Sequence, residues 1–288
     1  MLERLLICTD LDRTLIPNGS QPESAGAREH FSRLVGCAGV TLAYVSGRHR
    51  DLAESAITSY GLPLPDFVLG DVGTTIYRVG VRHEWERLSG WEREISRDWN
   101  GLTSSDLEPV LRDLPGLDLQ ERSRQSVHKL SYNLAAEFDR IGLVDQIERR
   151  LDSLGVSARL VWSIDDADGT GLLDVLPARA SKYHAIEALM QKQGFTCDDT
   201  VFCGDSGNDI EVLASPIPAV LVANSQPEVQ RLALQLAAES GHADMLYIAG
   251  GGFMGMNGNY SGGMLEGIAH YYPGILDWME FRGRESAT

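Results

Sequence analysis

Two aspartates separated by one residue, Asp10 and Asp12, stand at the end of the short apolar run LLICT. Where such a run ends as a buried strand, carboxylates so spaced can face one crevice. One can attack phosphorus, while the other protonates the leaving oxygen and then activates water. An isolated pair of this kind more often merely caps a following turn. A second polar group, Ser46-Gly47-Arg48, follows the run TLAYV. A strand-end hydroxyl and the next backbone N–H can hold phosphoryl oxygens, and the glycine permits close approach, although serine is also a common helix N-cap. Lys182 opens a helical pattern in ARASKYHAI. There an ammonium can neutralise charge on a transferring phosphoryl group, or lie on the surface. Last comes Gly204-Asp205-Ser206-Gly207-Asn208-Asp209, after VFC. Two acids on a tight glycine turn, with Asn beside them, suit a hard cation bound through oxygen.

Each of these groups follows an apolar run, and the elements built from those runs must position them. LLICTDLD and GVTLAYVSGR read as buried parallel strands with polar residues at their carboxyl ends. A helix is predicted over 22–35, and another in DLAESAITSYGL, closed by Gly61. DFVLG and TTIYRVG read as two strands joined by a turn at Asp71-Val72-Gly73. Strand–helix alternation of this kind implies a parallel sheet with crossover helices. After about residue 80 the character changes, and four of the five tryptophans fall between Trp85 and Trp162. HKLSYNLA, ARLVWSID and GLLDVLP alternate like half-exposed strands, with helical stretches near 104–113 and 138–154. From Ser181 the parallel pattern resumes, with helices over 181–193, 208–214 and 226–239 and strands TVFCGD and AVLVAN. The expected fold class is therefore α/β: a doubly wound, Rossmann-like parallel-sheet core (1–80 and 179–288) interrupted by an α+β cap over 81–178, a cap of about 100 residues.

Composition narrows the function. Of 288 residues, 43% are apolar and 23% charged, which suits a globular chain rather than a disordered one. The formal net charge of −16 repels nucleic acid and anionic lipid, whose phosphates require Lys and Arg. An acidic protein acting on a phosphate must supply local positive charge, and a divalent metal is the usual source. No apolar run has the length of a membrane span, and MLERLLICTD lacks the features of a signal peptide. The four scattered cysteines, Cys8, Cys37, Cys197 and Cys203, read as free thiols of a cytoplasmic chain. Asn259-Tyr260-Ser261 fits a glycosylation acceptor but carries no weight without a secretion signal. Gly250-x-Gly252-x-x-Gly255 has the spacing of a dinucleotide fingerprint, but not the strand–turn–helix setting that fingerprint needs. A flexible loop over the sheet edge is the better reading.

The order DxD at strand one, Ser at strand two, Lys at a helix start and GDxxND at a later strand resembles the haloacid dehalogenase-like phosphatases. The cap between the Ser and Lys motifs resembles their subclass IIB, with its Cof-type cap. TDLDRTL, VSGR, HKLSYNL, DVLPARASK, VFCGDSGNDIEVL, NSQPEV and SGGMLEGIAHY are most similar to sucrose-phosphate phosphatases, over most of the chain. This resemblance implies that Asp10 becomes an aspartyl-phosphate and that Asp12 is the acid/base. It implies Mg2+ held by Asp10, Asp205 and the main-chain oxygen of Asp12, with Asp209 direct or through water. Ser46 and Lys182 would bind phosphoryl oxygens, and Asn208 would orient Lys182 or the metal shell. Gly47 and Arg48 match a sugar-contacting pair. Gln125, His128 and Lys129 match the cap region that grips the glucosyl ring, Gln125 and His128 reading equally as exposed strand-edge residues. Four positions depart from the pattern: Ser46 where threonine is common, Arg13 where Asn or Gly is usual, Tyr183 where Gly is frequent, and His128 where Trp is.

The expected reaction is hydrolysis of sucrose 6'-phosphate to sucrose and phosphate, by a monomer whose partner is a small-molecule sugar phosphate. Mannosylfructose phosphate is the alternative substrate, and a sugar-phosphate synthase a candidate partner. A non-catalytic sugar-phosphate-binding accessory protein is the third reading, although such relatives tend to lose the nucleophile. A glycosyltransferase would leave Lys182 and GDSGND without a role.

Overall fold

The computed structural model describes residues 3–134, 140–164 and 170–278. Its elements run β1 (Leu5–Thr9), α1 (Ala27–Val35), β2 (Val40–Val45), α2 (Arg50–Tyr60), β3 (Phe67–Gly70), β4 (Thr75–Val79), β5 (Trp85–Arg87), α3 (Ser89–Ile95) and α4 (Ser104–Leu111). They continue with β6 (Leu117–Leu119), β7 (Leu130–Leu134), α5 (Arg140–Asp152), β8 (Ala158–Ile164), β9 (Gly171–Pro177), α6 (Lys182–Gln193), β10 (Thr200–Gly204) and α7 (Ile210–Leu213). The last are β11 (Ala219–Leu221), α8 (Pro227–Glu239), β12 (Leu246–Ile248) and α9 (Tyr260–Tyr271). Residues 138–139 of the helix expected over 138–154, and the ends of two expected cap strands at Ala135 and Asp165, lie outside the described residues.

The larger sheet has the order β12-β11-β10-β1-β2-β3-β4-β5. From β12 to β3 it is parallel, and β4 and β5 are added antiparallel at one edge. Every residue of β1 and of β10 is buried, as expected of central strands covered by helices on both faces. The chain winds from β1 outward through β2 and β3, then returns to place β10 on the other side of β1. The carboxyl ends of β1 and β10 thus flank the point where the strand order reverses, the usual position of a ligand crevice in such sheets.

Local signals explain the helix limits. The helix expected over 22–35 begins only at Ala27, because Gly26 before it is left-handed, with φ 78°. The segment 22–24 does other work: Pro22 C=O accepts from Asn257 Nδ2 and Ser24 Oγ from Asn257 N–H, each at 2.9 Å. Ser181 caps α6, its Oγ accepting the His184 N–H, and Pro227 opens α8 at the position where a missing N–H costs nothing. The expected helix over 208–214 is a single 3-10 turn, Gly207–Asp209, followed by the short α7.

A second, four-stranded antiparallel sheet, β6-β7-β9-β8, lies in the insert between β5 and α6. Trp99, Leu107, Leu111, Ile147, Leu151 and Val175 form its core with α4 and α5. That core begins with Trp99, later than the boundary expected after residue 80. The reason is that β5 pairs with β4, while Trp91 and Ile95 of α3 pack into the core of the larger sheet. Trp91 Nε1 also donates to Gly73 C=O at 2.8 Å.

The glycine-rich stretch is tied down. Gly250 and Gly251 N–H donate to the two carboxylate oxygens of Glu266 at 2.9 and 2.8 Å, and Tyr247 OH donates to the same group at 2.9 Å. The amides a dinucleotide phosphate would need are thereby used. Gly267 lets α9 lie directly on β11: a Cβ there would stand 2.4 Å from both Val220 methyls. Overpacking at a buried strand costs about 1–3 kcal/mol, against roughly 1 kcal/mol gained in helix propensity. Gly267→Ala is therefore expected to lower the urea midpoint, and an unchanged or raised midpoint would show that α9 can shift away from β11.

Candidate active site

Asp10 follows β1 and is placed by its own backbone, its N–H donating to Cys203 C=O of β10 at 2.9 Å. The chain then folds on itself. Leu11 C=O accepts from the N–H groups of Thr14, Leu15 and Ile16, and the buried side chains of Leu11, Leu15 and Ile16 anchor the loop. This tight loop turns Asp12 away from the strand axis. Arg48 holds Asp12 with a two-pronged grip, Nε to Oδ2 at 2.8 Å and Nη2 to Oδ1 at 2.6 Å. Asn18 adds a third bond at 2.8 Å. Burial works to raise the Asp12 pKa, but the Arg48 and Asn18 bonds outweigh it and hold the carboxyl below its ordinary value.

Lys182 is the first residue of α6, with a side chain only 1% exposed. Its Nζ lies 2.7 Å from Asp209 Oδ1 and 3.1 Å from Asp10 Oδ1. Burial acts to lower its pKa; the two carboxylates win and raise it. The backbone around Lys182 is pressed by the turn Asp71–Gly73, where a Cβ on Gly73 (φ 87°) would meet Ser181 C=O at 2.3 Å. Asp209 is fixed on its other side as well. Its Oδ2 accepts the N–H groups of Asp205 and Ser206, both at 3.1 Å. Gly204 leaves room for that oxygen, which an added Cβ would approach to 2.6 Å.

Side-chain oxygens of Asp10, Asp205 and Asp209, all buried, lie within 4.8 Å of one another. Burial is the largest cause raising the Asp10 and Asp205 pKa values, with the neighbouring carboxylates adding to it. Asp205 is pushed up to about 7. Its Oδ1 accepts from Thr14 Oγ1 at 3.2 Å, but its buried Oδ2 accepts no hydrogen bond among the described residues. That oxygen meets Arg13 Nε at 3.3 Å, yet three buried acids in one all-oxygen cluster still hold negative charge that a hard divalent cation would offset. The residues present fit a metal ion.

Ser46 follows β2, buried, with Oγ accepting from Arg48 N–H at 3.2 Å. It opens, with Gly47, Arg48 and the acids, onto a cleft of about 680 Å³ between the two sheets. The structure thus brings Asp10, Asp12, Ser46, Gly47, Arg48, Asp205 and Asn208 to one cleft wall, with Lys182 and Asp209 directly behind Asp10. Asn208 does not reach Lys182; its Oδ1 accepts from Ser206 Oγ at 3.0 Å, because Asp209 already takes the ammonium.

Of the three cap candidates, only Lys129 lines the cleft. Gln125 is a turn staple. Its amide donates to Gln120 and Ser131 C=O at 3.1 and 2.9 Å and accepts from Ser131 N–H at 2.7 Å. His128 points the other way, edge-on to Trp99 with centroids 5.8 Å apart, and burial lowers its pKa. His128 sits in the turn just before Lys129, and its ring is taken up by Trp99 rather than by the cleft. The cap wall is formed instead by Gln120, Arg124, Trp162 and Asp174. Asp174 left a signal in the sequence, as the lone carboxylate in the apolar strand GLLDVLP. Its partner across the sheet is Ser131, whose hydroxyl donates to it.

The family model for sucrose-6F-phosphate phosphohydrolase matches residues 3–272. The chain belongs to that family. It is a phosphatase of the haloacid dehalogenase type. A Nitrosococcus oceani protein described as a HAD-like hydrolase is 50% identical over 287 residues, covering 100% of this chain and 77% of that protein. The mannosylfructose-phosphate phosphatase of Agrobacterium fabrum is 29% identical, over 80% of this chain and 87% of its own. The structure of the Synechocystis sucrose-phosphatase with sucrose and phosphate superposes with a TM-score of 0.72 at 27% identity, covering 93% of this chain and 98% of that one. The chain spans about half the length of the plant sucrose-phosphatases it matches, 52% for the tobacco enzyme. Among the described residues no helix is long and apolar enough to cross a membrane.

In this phosphatase the turn backing Lys182 makes a prediction of its own. Asp71 is buried with φ 52°, and its Oδ1 accepts no hydrogen bond among the described residues. Burial raises its pKa, against the opposing charges of Lys129 and His49. A carboxyl raised on folding binds protons more tightly in the native state, so its ionisation destabilises the fold as pH rises through the folded pKa. Asp71→Asn is expected to stabilise the protein most at neutral pH, with the gain shrinking as pH falls toward 4. Urea melts of both proteins across pH 4–8 check this, and a gain that does not vary with pH would contradict it.

Proposed function

We propose that this phosphatase hydrolyses a disaccharide phosphate, with sucrose 6'-phosphate the first candidate, through an aspartyl-phosphate on Asp10 and with Mg2+ as its cation. The observation that carries the reading is the buried ammonium of Lys182 set between Asp10 and Asp209, beneath a cleft roofed by a polar cap. A bound Mg2+, held by Asp10, Asp205 and the main-chain oxygen of Asp12, with Asp209 direct or through water, would supply positive charge for the equatorial phosphoryl oxygens. Lys182 orients Asp10 and adds charge from the opposite side. Ser46 Oγ, at the end of β2, offers a hydroxyl to another phosphoryl oxygen.

The reaction then divides between two carboxylates. An Asp10 oxygen forms a bond to phosphorus as the bond from phosphorus to the sugar oxygen breaks, and that oxygen takes a proton from Asp12. Asp12 next removes a proton from water, whose oxygen attacks phosphorus and frees Asp10 with inorganic phosphate. The Arg48 grip holds Asp12 ionised, which suits the second step. Delivery of a proton in the first step requires that grip to loosen.

Substrate choice rests on the cap. Gln120, Arg124, Lys129, Trp162 and Asp174 offer donors, acceptors and an aromatic face to a hydroxyl-rich ligand. A sugar that enclosed one of these polar groups without pairing it would be selected against. The relatives act on both sucrose phosphate and mannosylfructose phosphate by their names, and the latter is the alternative substrate. The free thiols at Cys8, Cys37, Cys197 and Cys203 suit the reducing cytoplasm.

Phosphate release from sucrose 6'-phosphate, mannosylfructose phosphate, trehalose 6-phosphate and simple hexose phosphates tests the substrate. The disaccharide fructosyl phosphates should give the highest kcat/KM, and equal rates on hexose phosphates would remove the disaccharide assignment. EDTA should abolish turnover and Mg2+ restore it. Asp10→Asn should abolish turnover while sugar phosphate still binds; retained turnover would exclude Asp10 as nucleophile. Lys182→Met leaves two buried carboxylates uncompensated, a loss of about 3–5 kcal/mol. That loss should appear in urea melts of the metal-free protein, and a wild-type midpoint would show that Lys182 is not needed to balance the acids.

A further inference from the structure

Arg13 occupies a place that its backbone does not favour. It stands directly after Asp12 with φ 58°, in the left-handed region. Asparagine or glycine adopts that region more readily. Hydrogen bonds hold the conformation from both sides. Arg13 N–H donates to Asn18 Oδ1 at 2.8 Å, and Arg13 C=O accepts from Asn224 Nδ2 at 2.6 Å. A strained position filled by a large side chain calls for a use of that side chain.

The guanidinium reaches Asp205, with Nε 3.3 Å from Oδ2. This is the carboxylate oxygen that accepts no hydrogen bond among the described residues, and it belongs to the acidic cluster that fits a metal ion. A guanidinium and a divalent cation therefore contend for one carboxylate. Arg13 also lines the same cleft as Asp10 and Ser46. Its planar fork of donors matches phosphate geometry, so the group displaced by a cation has a second partner within the same cleft.

We propose that Arg13 couples cation binding to phosphate binding. It neutralises Asp205 until a divalent cation takes that carboxylate, and the guanidinium then turns to the oxygens of the phosphoryl group. The proposal rests on the metal reading given above. Cation alone must displace a favourable ion pair and so binds weakly. When phosphate is present the guanidinium exchanges the Asp205 carboxylate for phosphoryl oxygens, and each ligand strengthens the other by the same factor. Arg13 would thus disfavour a loaded metal site without substrate and favour the ternary complex.

Calorimetric titration of Mg2+ into the wild type, Arg13→Asn and Arg13→Lys, alone and with saturating inorganic phosphate, tests this without reading activity. Asparagine suits the left-handed backbone, and thermal melts verify that the variant is folded. Arg13→Asn should bind Mg2+ alone more tightly, on the order of tenfold, the scale on which partners of metal ligands act. Phosphate should then raise its Mg2+ affinity by a smaller factor than in the wild type. Arg13→Lys keeps the charge but not the fork, so it should bind Mg2+ alone as the wild type does, with a reduced phosphate effect. Unchanged or weaker Mg2+ binding by Arg13→Asn, or an undiminished phosphate effect, would overturn the proposal. Absence of Mg2+ binding by the wild type under either condition would instead defeat the metal reading, and the proposal with it.

Discussion

An ammonium group buried between two carboxylates is the constraint around which this molecule is arranged. Lys182 begins a helix, where the macrodipole is positive and a cation is unwelcome. Its charge is tolerable only because Asp10 and Asp209 lie within hydrogen-bonding distance. Those acids arrive from the ends of β1 and β10, adjacent strands in the sheet, and Lys182 from the helix that follows the cap. The Asp71–Gly73 turn presses on the backbone at Ser181 from the end of β3. Separate segments of chain must therefore meet before any of these charges is paired. Yet one lysine does not balance Asp10, Asp205 and Asp209. Burial raises Asp10 and Asp205, and the surplus negative charge raises them further; that surplus is what a divalent cation would relieve.

The cap is bonded to this machinery rather than merely placed above it. Arg159 of β8 grips Glu211 with two nitrogens, one at 3.0 Å. Glu211 lies two residues after Asp209, and its carboxylate stands 3.6 Å from His184 Nδ1, two residues after Lys182. A shift of the cap relative to the core would be felt first by the two segments that hold the lysine and its acid. On the opposite side Arg179 binds Asp98 at 2.7 Å, tying the end of the cap to its beginning. Orientation of the cap and the placement of Lys182 and Asp209 are therefore linked through charge pairs in the described residues.

The core of the fold was legible in sequence because central parallel strands are buried on both faces and read as unbroken apolar runs. The charged site was legible for a related reason: Asp10, Ser46 and Asp205 each follow such a run, and a strand ending in polar residues has few places to end. Side-chain direction was not legible. Gln125 and His128 belong to a turn and a short bridge, where the period-2 rule has no register to act on. Only the fold revealed that Gln125 is consumed by backbone groups and that His128 turns to Trp99. The Arg48–Asp12 grip was equally hidden, since the partners are thirty-six residues apart and either has other uses. The small hairpin strand β5 was absorbed into the expected cap because tryptophan content marked the boundary, although Trp91 packs against the larger sheet.

Local charge lets a chain of net charge −16 admit a phosphate dianion. Arg13, Arg48, Arg124 and Lys129 line the cleft against Asp10, Asp12, Asp174 and Asp205, so its walls are near balance while the protein as a whole is strongly acidic. Screening confines the effect of a wall charge to about 8 Å at physiological ionic strength. A small phosphate monoester that enters the cleft meets the local balance, now tipped positive by any bound cation. A long polyanion must lie across the outer surface and meet the global charge. The contrast follows from a cleft whose own charges nearly cancel, set in a chain that is strongly acidic as a whole.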